Sequence, residues 1–498
     1  MPRRSALALL LTLLCASAIA EERRYLQLTT DELTLVSSVS ESRTRQIAAQ
    51  VGMFRAAVEQ VLGLSLPAAL PTRIYALSSE DWARYAQPRP GVAGYFLPHP
   101  FSSDLLFDAG DELSGAYELV FHEYMHYILR ATWGGRVPAY LDEGLAEAFG
   151  SASFRDGTLM LEPRADYLSY LRSHEWMPFE RLFSVKRHDA EYVDHALAPA
   201  FYAQAWATAY YALATRPGFG ASITAYVHDL ESGAAPVPAA DRLVGGVSTL
   251  EHRDMLRTLQ KHRRVPIAQI PAAERSKAAA GRLRALEGQE STFELGELLL
   301  RMSGRHRQAL EVFEEVKEQC PLTARACVGL GWSHLQAGDT ERAASLFDRA
   351  AAAGTMDRRT AVDLGRGLFQ VAAAASQGWE RPSGTTRDRL IRARTLFESA
   401  IQDDSTRLEA VNGYVLARIA LDERDASLVS LAQSAYRLAP NSSELAVGLA
   451  LLHELDGKKD IARGYWRQAA RNTHTGPMRA RILDALNEAE SGTPPPAR

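Results

Sequence analysis

Apolar positions alternate over YLQLTT and LTLVSS near the start of the chain, which predicts two half-buried strands. The period then changes. In SRTRQIAAQVGMFRAAVEQVLGL the residues Ile47, Val51, Phe54, Val58, Val61 and Leu62 fall on one face at helical spacing. Thr72–Leu77, closed off by Pro71 and Ser78, predicts a further strand, and GVAGYFLP and DLLFDAG predict two more. Beyond them helical spacing dominates, over about 114–132, 138–150, 162–173 and 199–215. Strands first and helices after describe an α+β domain.

The segment HRRVPIAQIPAAERSKAAAGRLRALEGQE breaks this pattern with two prolines and a small, charged stretch. It predicts a linker over 266–290 between a first domain at 21–265 and a second region at 291–490. The second region repeats itself. Gly304, Ala309 and Phe313 recur as Gly338, Ala343 and Phe347, an offset of 34, and Ala435 and Ala469 share that spacing. Thirty-four residues is the tetratricopeptide period, two antiparallel helices whose small residues allow close packing. A third unit ends in ARTLFESAI after an insertion around GWERPSGTT, and weaker fourth and fifth units follow at 406–440 and 441–474. The expectation is an all-α tetratricopeptide-repeat solenoid with a concave groove for a protein partner. SGTPPPAR at 491–498 reads as a disordered tail.

Composition narrows the classes. Hydrophobic residues make up 46% and charged residues 23%, with 56 basic and 60 acidic residues interspersed to a net charge of −4. No basic block argues for nucleic acid. Residues 1–20 combine a basic start, an apolar run and Ala18-Ile19-Ala20, the layout of a cleaved export signal. A periplasmic or secreted chain is expected, with no membrane span after cleavage. Two cysteines then remain, Cys320 and Cys327, either a pair or two small buried hydrophobes.

The chemistry concentrates in HEYMHYILRATWGGRVPAYLDEGLAEAFG, residues 122–150. His122 and His126 are four apart, so on a helix their rings leave one face and can share one tetrahedral ion. Glu123 stands beside that position, where a carboxylate can take a proton from water. The apolar neighbours Val120, Phe121, Tyr124, Met125, Ile128 and Leu129 predict a buried helix, and burying such polar groups without a partner is costly. Trp133-Gly134-Gly135 ends it and Pro138 opens the next. There Glu143 and Glu147 share a face. A catalytic zinc needs three protein ligands and an open position, and Glu143 would complete the set. Glu147, one turn on, would accept the free ring N–H of His122.

HEYMH followed by EGLAE resembles the gluzincins, the thermolysin-like zinc metallopeptidases of the peptidase MA clan, strongest over 122–150 and extending over roughly 70–215. AYLDEGLAE is similar to the second helix of exported members that carry tetratricopeptide repeats. The resemblance implies an α+β zincin-like metallopeptidase domain, zinc on His122, His126 and Glu143, Glu123 as base and Glu147 supporting a ligand. The glycine-x-methionine-glutamate-asparagine segment of the large aminopeptidases is absent, which puts aminopeptidase action in doubt.

An oxyanion donor is also required. Tyr202, in FYAQAWATAYYAL, is the first candidate on the same resemblance, His195 the second and Tyr192 a further one. GVAGYF is the candidate edge strand for substrate backbone. His99, His174 and His188 read as surface or loop residues. The reading is an exported zinc peptidase acting on a peptide or protein. Its alternative is a zinc-binding scaffold without turnover, whose repeats do the work; the intact Glu123 argues against it.

Overall fold

A computed structural model describes residues 25–31, 33–66, 72–86, 94–110, 113–319, 323–375, 382–403, 406–473 and 477–491. The expected export signal, Gly91–Ala93 of the candidate edge strand, Cys320 and nearly all of the expected tail lie outside them. Cys327 is buried. Among the described residues no helix is long and apolar enough to cross a membrane.

The first domain is built on a six-stranded sheet of order β4-β5-β3-β2-β1-β9. Its strands are β1 (Tyr25–Thr29), β2 (Leu33–Ser37), β3 (Thr72–Leu77), β4 (Gly94–Pro98), β5 (Ser103–Asp108) and β9 (Arg282–Leu286). The central β2-β3-β5 pairs are parallel, whereas β4 runs antiparallel to β5 and forms one edge. Helix α1 (Glu41–Leu62) crosses from β2 to β3 and covers one face together with α2 (Leu113–Trp133). Alternation decides which side chains go where: Leu35, Ile74, Leu105 and Phe107 face those helices, and Val36, Tyr75 and Leu106 face the opposite way.

That opposite face is the surprise. It is covered by Leu295 and Leu298 of the first helix of the repeat array and by Met302 just after that helix. Strands buried on both faces explain why TRIYAL and DLLF read as nearly unbroken apolar runs.

After α2 come α3 (Ala139–Gly150), the hairpin β6 (Ser153–Arg155) and β7 (Thr158–Leu161), α4 (Ala165–Ser173), the short α5 (Ala190–Val193), α6 (Ala198–Thr215) and α7 (Phe219–Glu231). β8 (Val265–Gln269) pairs with β7, and β9 pairs with β1 along its whole length. The linker expected over 266–290 is therefore corrected: both strands are integral to the first domain. Prolines and charges in this stretch suit edge strands, whose outer side meets solvent, as well as they suit a connector.

Beyond β9 the chain is an array of antiparallel helix pairs. α8 (Glu290–Arg301) and α9 (His306–Gln319) form the first, followed by α10 (Ala324–Gln336) with α11 (Thr340–Ala352) and α12 (Arg358–Ala375) with α13 (Gly384–Ala400). Then come α14 (Arg407–Ala420) with α15 (Ala426–Leu438), α16 (Ser443–Leu455) with α17 (Lys459–Asn472), and a closing α18 (Pro477–Ser491). The repeat phenylalanines are fully buried against glycines of the flanking helices. Phe313 lies against Gly296 and Gly329, Phe347 against Gly331 and Gly367, and Phe397 against Gly365 and Gly413. A Cβ added at Gly329 would stand 2.3 Å from the Phe313 ring, so the close approach requires glycine.

Buried charges tie this array to the sheet. Arg301 of α8 donates to Asp104 of β5 at 3.0 Å, Arg73 of β3 to Glu294 at 2.9 Å, and Arg325 to Glu294 and Glu297 at 2.9 and 2.7 Å. His99 lies in the β4–β5 loop, 2.8 Å from Asp104 in the same network, whereas His174 and His188 are exposed. Farther along, Phe101 of the β4–β5 turn packs among Leu408 and Val411 of α14.

Candidate metal centre

α2 and α3 form the hairpin that carries the centre. Helical spacing puts His122 and His126 on one side of α2, their Nε2 atoms 3.1 Å apart. Glu143 Oε2 of α3 lies 3.5 Å from His126 Nε2 and 4.0 Å from His122 Nε2. Among the described residues this is the one trio of His, Cys, Asp or Glu with converging ligand atoms. Zinc bonds of 2.0–2.1 Å at tetrahedral angles separate neighbouring donors by about 3.3 Å. The observed triangle fits that spacing.

The approach of α3 depends on Gly144, next to Glu143. A Cβ there would stand 2.5 Å from the Ala205 carbonyl of α6, so a larger residue would push α3 away. Glu143 itself is buried and is oriented by Tyr192, whose hydroxyl donates to Oε1 at 2.5 Å and leaves Oε2 for the histidines.

One of the two histidines is held from behind by a hydrogen bond, and it is not the one expected. His126 Nδ1 lies 2.9 Å from Asp142 Oδ1, and Asp142 also accepts from Arg187. With Nδ1 so engaged, a neutral His126 turns the lone pair of Nε2 toward the triangle. Glu147, expected to accept from His122, has Oε1 3.8 Å from Nδ1, too far for a hydrogen bond. Its other oxygen accepts from Arg164 at 2.9 Å.

The electrostatics follow from burial. Burial and the neighbouring His126 push His122 down to about 4, so it is neutral at ordinary pH. Burial opposes protonation of His126 too, yet Asp142 and Glu143 outweigh it and raise His126 well above its usual value. Burial raises the Glu123 carboxyl, against the pull of His126, which increases its basicity. Burial also pushes Glu147 up to about 7 despite Arg164.

Of the oxyanion candidates, Tyr192 touches the trio directly. Tyr202 of α6 stands beside it, ring centroids 6.0 Å apart, and burial with nearby Glu143 raises its hydroxyl well above the usual range. His195 is exposed in the turn between α5 and α6. Asp142, Arg187 and Arg164 were missed by sequence reasoning. Asp142 had a signal, adjacency to Glu143; the two arginines, remote in sequence, had none. β4, the described part of the candidate substrate strand, is the edge of the sheet and is packed against α2 through Gly94 and Leu119.

No family model and no curated protein matches the chain. Several solved structures are similar to part of it. One comes from the functional characterization of pilF of Pseudomonas aeruginosa, with 17% identity over 41% of this chain and 87% of that one, at a TM-score of 0.30. A thermophilic tetratricopeptide protein of Thermus thermophilus is 20% identical over 40% of this chain and 100% of that one, at 0.32. YrrB, a tetratricopeptide protein with an unusual peptide-binding site, is 14% identical over 39% and 90%, at 0.28. The repeat reading of the array rests on its own period and packing.

Proposed function

We propose that the chain is a zinc-dependent peptidase of the gluzincin type, exported by the signal at 1–20, with a tetratricopeptide array whose groove takes a protein partner. The observation that carries this reading is the triangle of His122 Nε2, His126 Nε2 and Glu143 Oε2, with edges of 3.1, 3.5 and 4.0 Å, beside the half-buried Glu123. Bound there, zinc would supply Lewis acidity toward a water and a peptide carbonyl.

The chain's own residues do the rest. His122, His126 and Glu143 hold the ion, Asp142 and Tyr192 orient two of those ligands, and Arg164 neutralises Glu147 behind them. Glu123 accepts a proton from the attacking water and passes it to the leaving amine. Tyr192 spends its one O–H on Glu143, which leaves the neighbouring Tyr202 hydroxyl as the donor for the developing oxyanion. An extended substrate would lie along the free edge of β4, its backbone completing the ladder.

Two measurements test the reading. Elemental analysis of the purified chain should find about one zinc per molecule, lost in Glu143→Ala. Glu123→Gln should keep the zinc while peptide hydrolysis falls by about 10²–10⁴-fold. A parent chain that takes up no zinc on reconstitution would sink the proposal. Unchanged cleavage by Glu123→Gln would remove Glu123 from its role.

A further inference from the structure

The array meets the first domain again at its far end, and the contact falls on the helix that carries the histidines. Asn441 sits in the turn between α15 and α16, just before Ser442, whose hydroxyl accepts from the Leu445 N–H and caps α16. Asn441 Nδ2 donates to the carbonyls of Ala131 at 3.2 Å and Thr132 at 2.9 Å. Its Oδ1 accepts from Arg136 at 3.0 Å. Arg136 in turn donates to the Trp133 carbonyl at 2.6 Å and to Glu231 of α7 at 2.8 Å.

A helix leaves its last four carbonyls without partners inside the helix. In α2, three of these are capped by side chains, and two of those caps come from a residue more than three hundred positions later. The fit is close. Gly134 has φ +63, and a Cβ there would meet Asn472 Oδ1 at 2.9 Å and Asn441 at 3.3 Å.

We propose that Asn441 is a positioning residue for the metal-binding helix. By tying down the last turn of α2, the fourth and fifth repeats fix the register in which His122 and His126 face Glu143. His126 precedes Ala131 by five residues, about 7.5 Å along the axis, so fraying of this turn reaches the ligand within one more turn and a half. The array then acts on the site as well as on any partner. The functional part of this inference rests on the metal reading of the trio; the hydrogen bonds do not.

The test uses the full-length chain, with Asn441→Ala and Asn441→Asp beside the parent. The aspartate has the same shape and keeps an acceptor for Arg136, but it loses both N–H donors and faces two carbonyl oxygens. In metal-free protein, amide hydrogen exchange over Ile128–Trp133 should quicken at least about tenfold in both variants, more in Asn441→Asp, while α16 stays protected. Zinc affinity, measured by competition with a chelator, should fall several-fold in the same order. Unchanged exchange in α2 would overturn the proposal. So would faster exchange spread evenly through α15–α17, which would mark repeat unfolding, or faster exchange in α2 with zinc affinity intact. A parent without zinc affinity would refute the metal reading, and the exchange data would still decide whether Asn441 holds the helix.

Discussion

The α2–α3 hairpin and the repeat array use the same residue types to opposite ends. In the hairpin, glycine and buried charge converge on a point: Gly144 lets α3 approach α6, and His122, His126, Glu143 and Asp142 meet within a few ångströms. In the array they are strung along a line, where Phe313, Phe347 and Phe397 each lie against a pair of glycines. Stability in such an array is a sum over neighbouring repeats, whereas a metal centre fails when a single ligand or its support is lost. A defect in the hairpin should therefore spoil chemistry and spare the fold; a defect in the array's core, away from the Asn441 contact, should do the reverse.

The largest expected effect lies in the array. Phe347 is fully buried between α10, α11 and α12, and truncation to alanine should cost about 3–5 kcal/mol. Denaturant unfolding should show this as a lower midpoint, with zinc content unchanged in the folded fraction. Loss of zinc from folded Phe347→Ala would mean that the two regions are not separable in this way.

The mirror-image substitution is Asp142→Asn. It keeps shape but removes the charge that holds His126 and Arg187. Zinc affinity should fall by about 10–100-fold, the usual effect of losing a partner behind a ligand. The unfolding midpoint of the metal-free chain should move little by comparison. Unaltered zinc affinity would show that Asp142 serves Arg187 alone.

These two regions were also unequally legible in the sequence. The helix pairs of the array follow from a period of 34, and the trio from a fixed spacing on α2 plus a glutamate at the right place on α3, all local patterns. What escaped was set by distance along the chain. Arg164 and Arg187 reach the site from separate segments, and no periodicity announces them. Glu147 misled because i, i+4 spacing gives a face but not a distance: its carboxylate turned to Arg164 and left His122 at 3.8 Å. The strands at 265–269 and 282–286 were hidden for another reason. Edge strands tolerate proline and charge, which at the level of sequence also describe a linker.

The smallest effect concerns the joint at which the two regions meet. Burial alone would raise the Asp104 carboxyl, but Arg301 and His99 outweigh it and hold Asp104 well below the usual carboxylate range. A carboxylate depressed by folding contributes stability above its unfolded value of about 3.9, and that contribution drains away as pH falls toward the folded value. Asp104 should thus make the chain lose about 1 kcal/mol more between pH 4 and pH 3 than a variant lacking this carboxylate. Asp104→Asn should start lower at neutral pH, because Arg301 loses the closer of its two ion pairs, and should then fall less steeply on acidification. Urea midpoints of the two proteins measured from pH 6 to pH 3 should converge. Parallel lines would place the acid sensitivity elsewhere, and the joint between sheet and array would then be held by the apolar contacts of Leu295, Leu298 and Met302 rather than by its ion pairs.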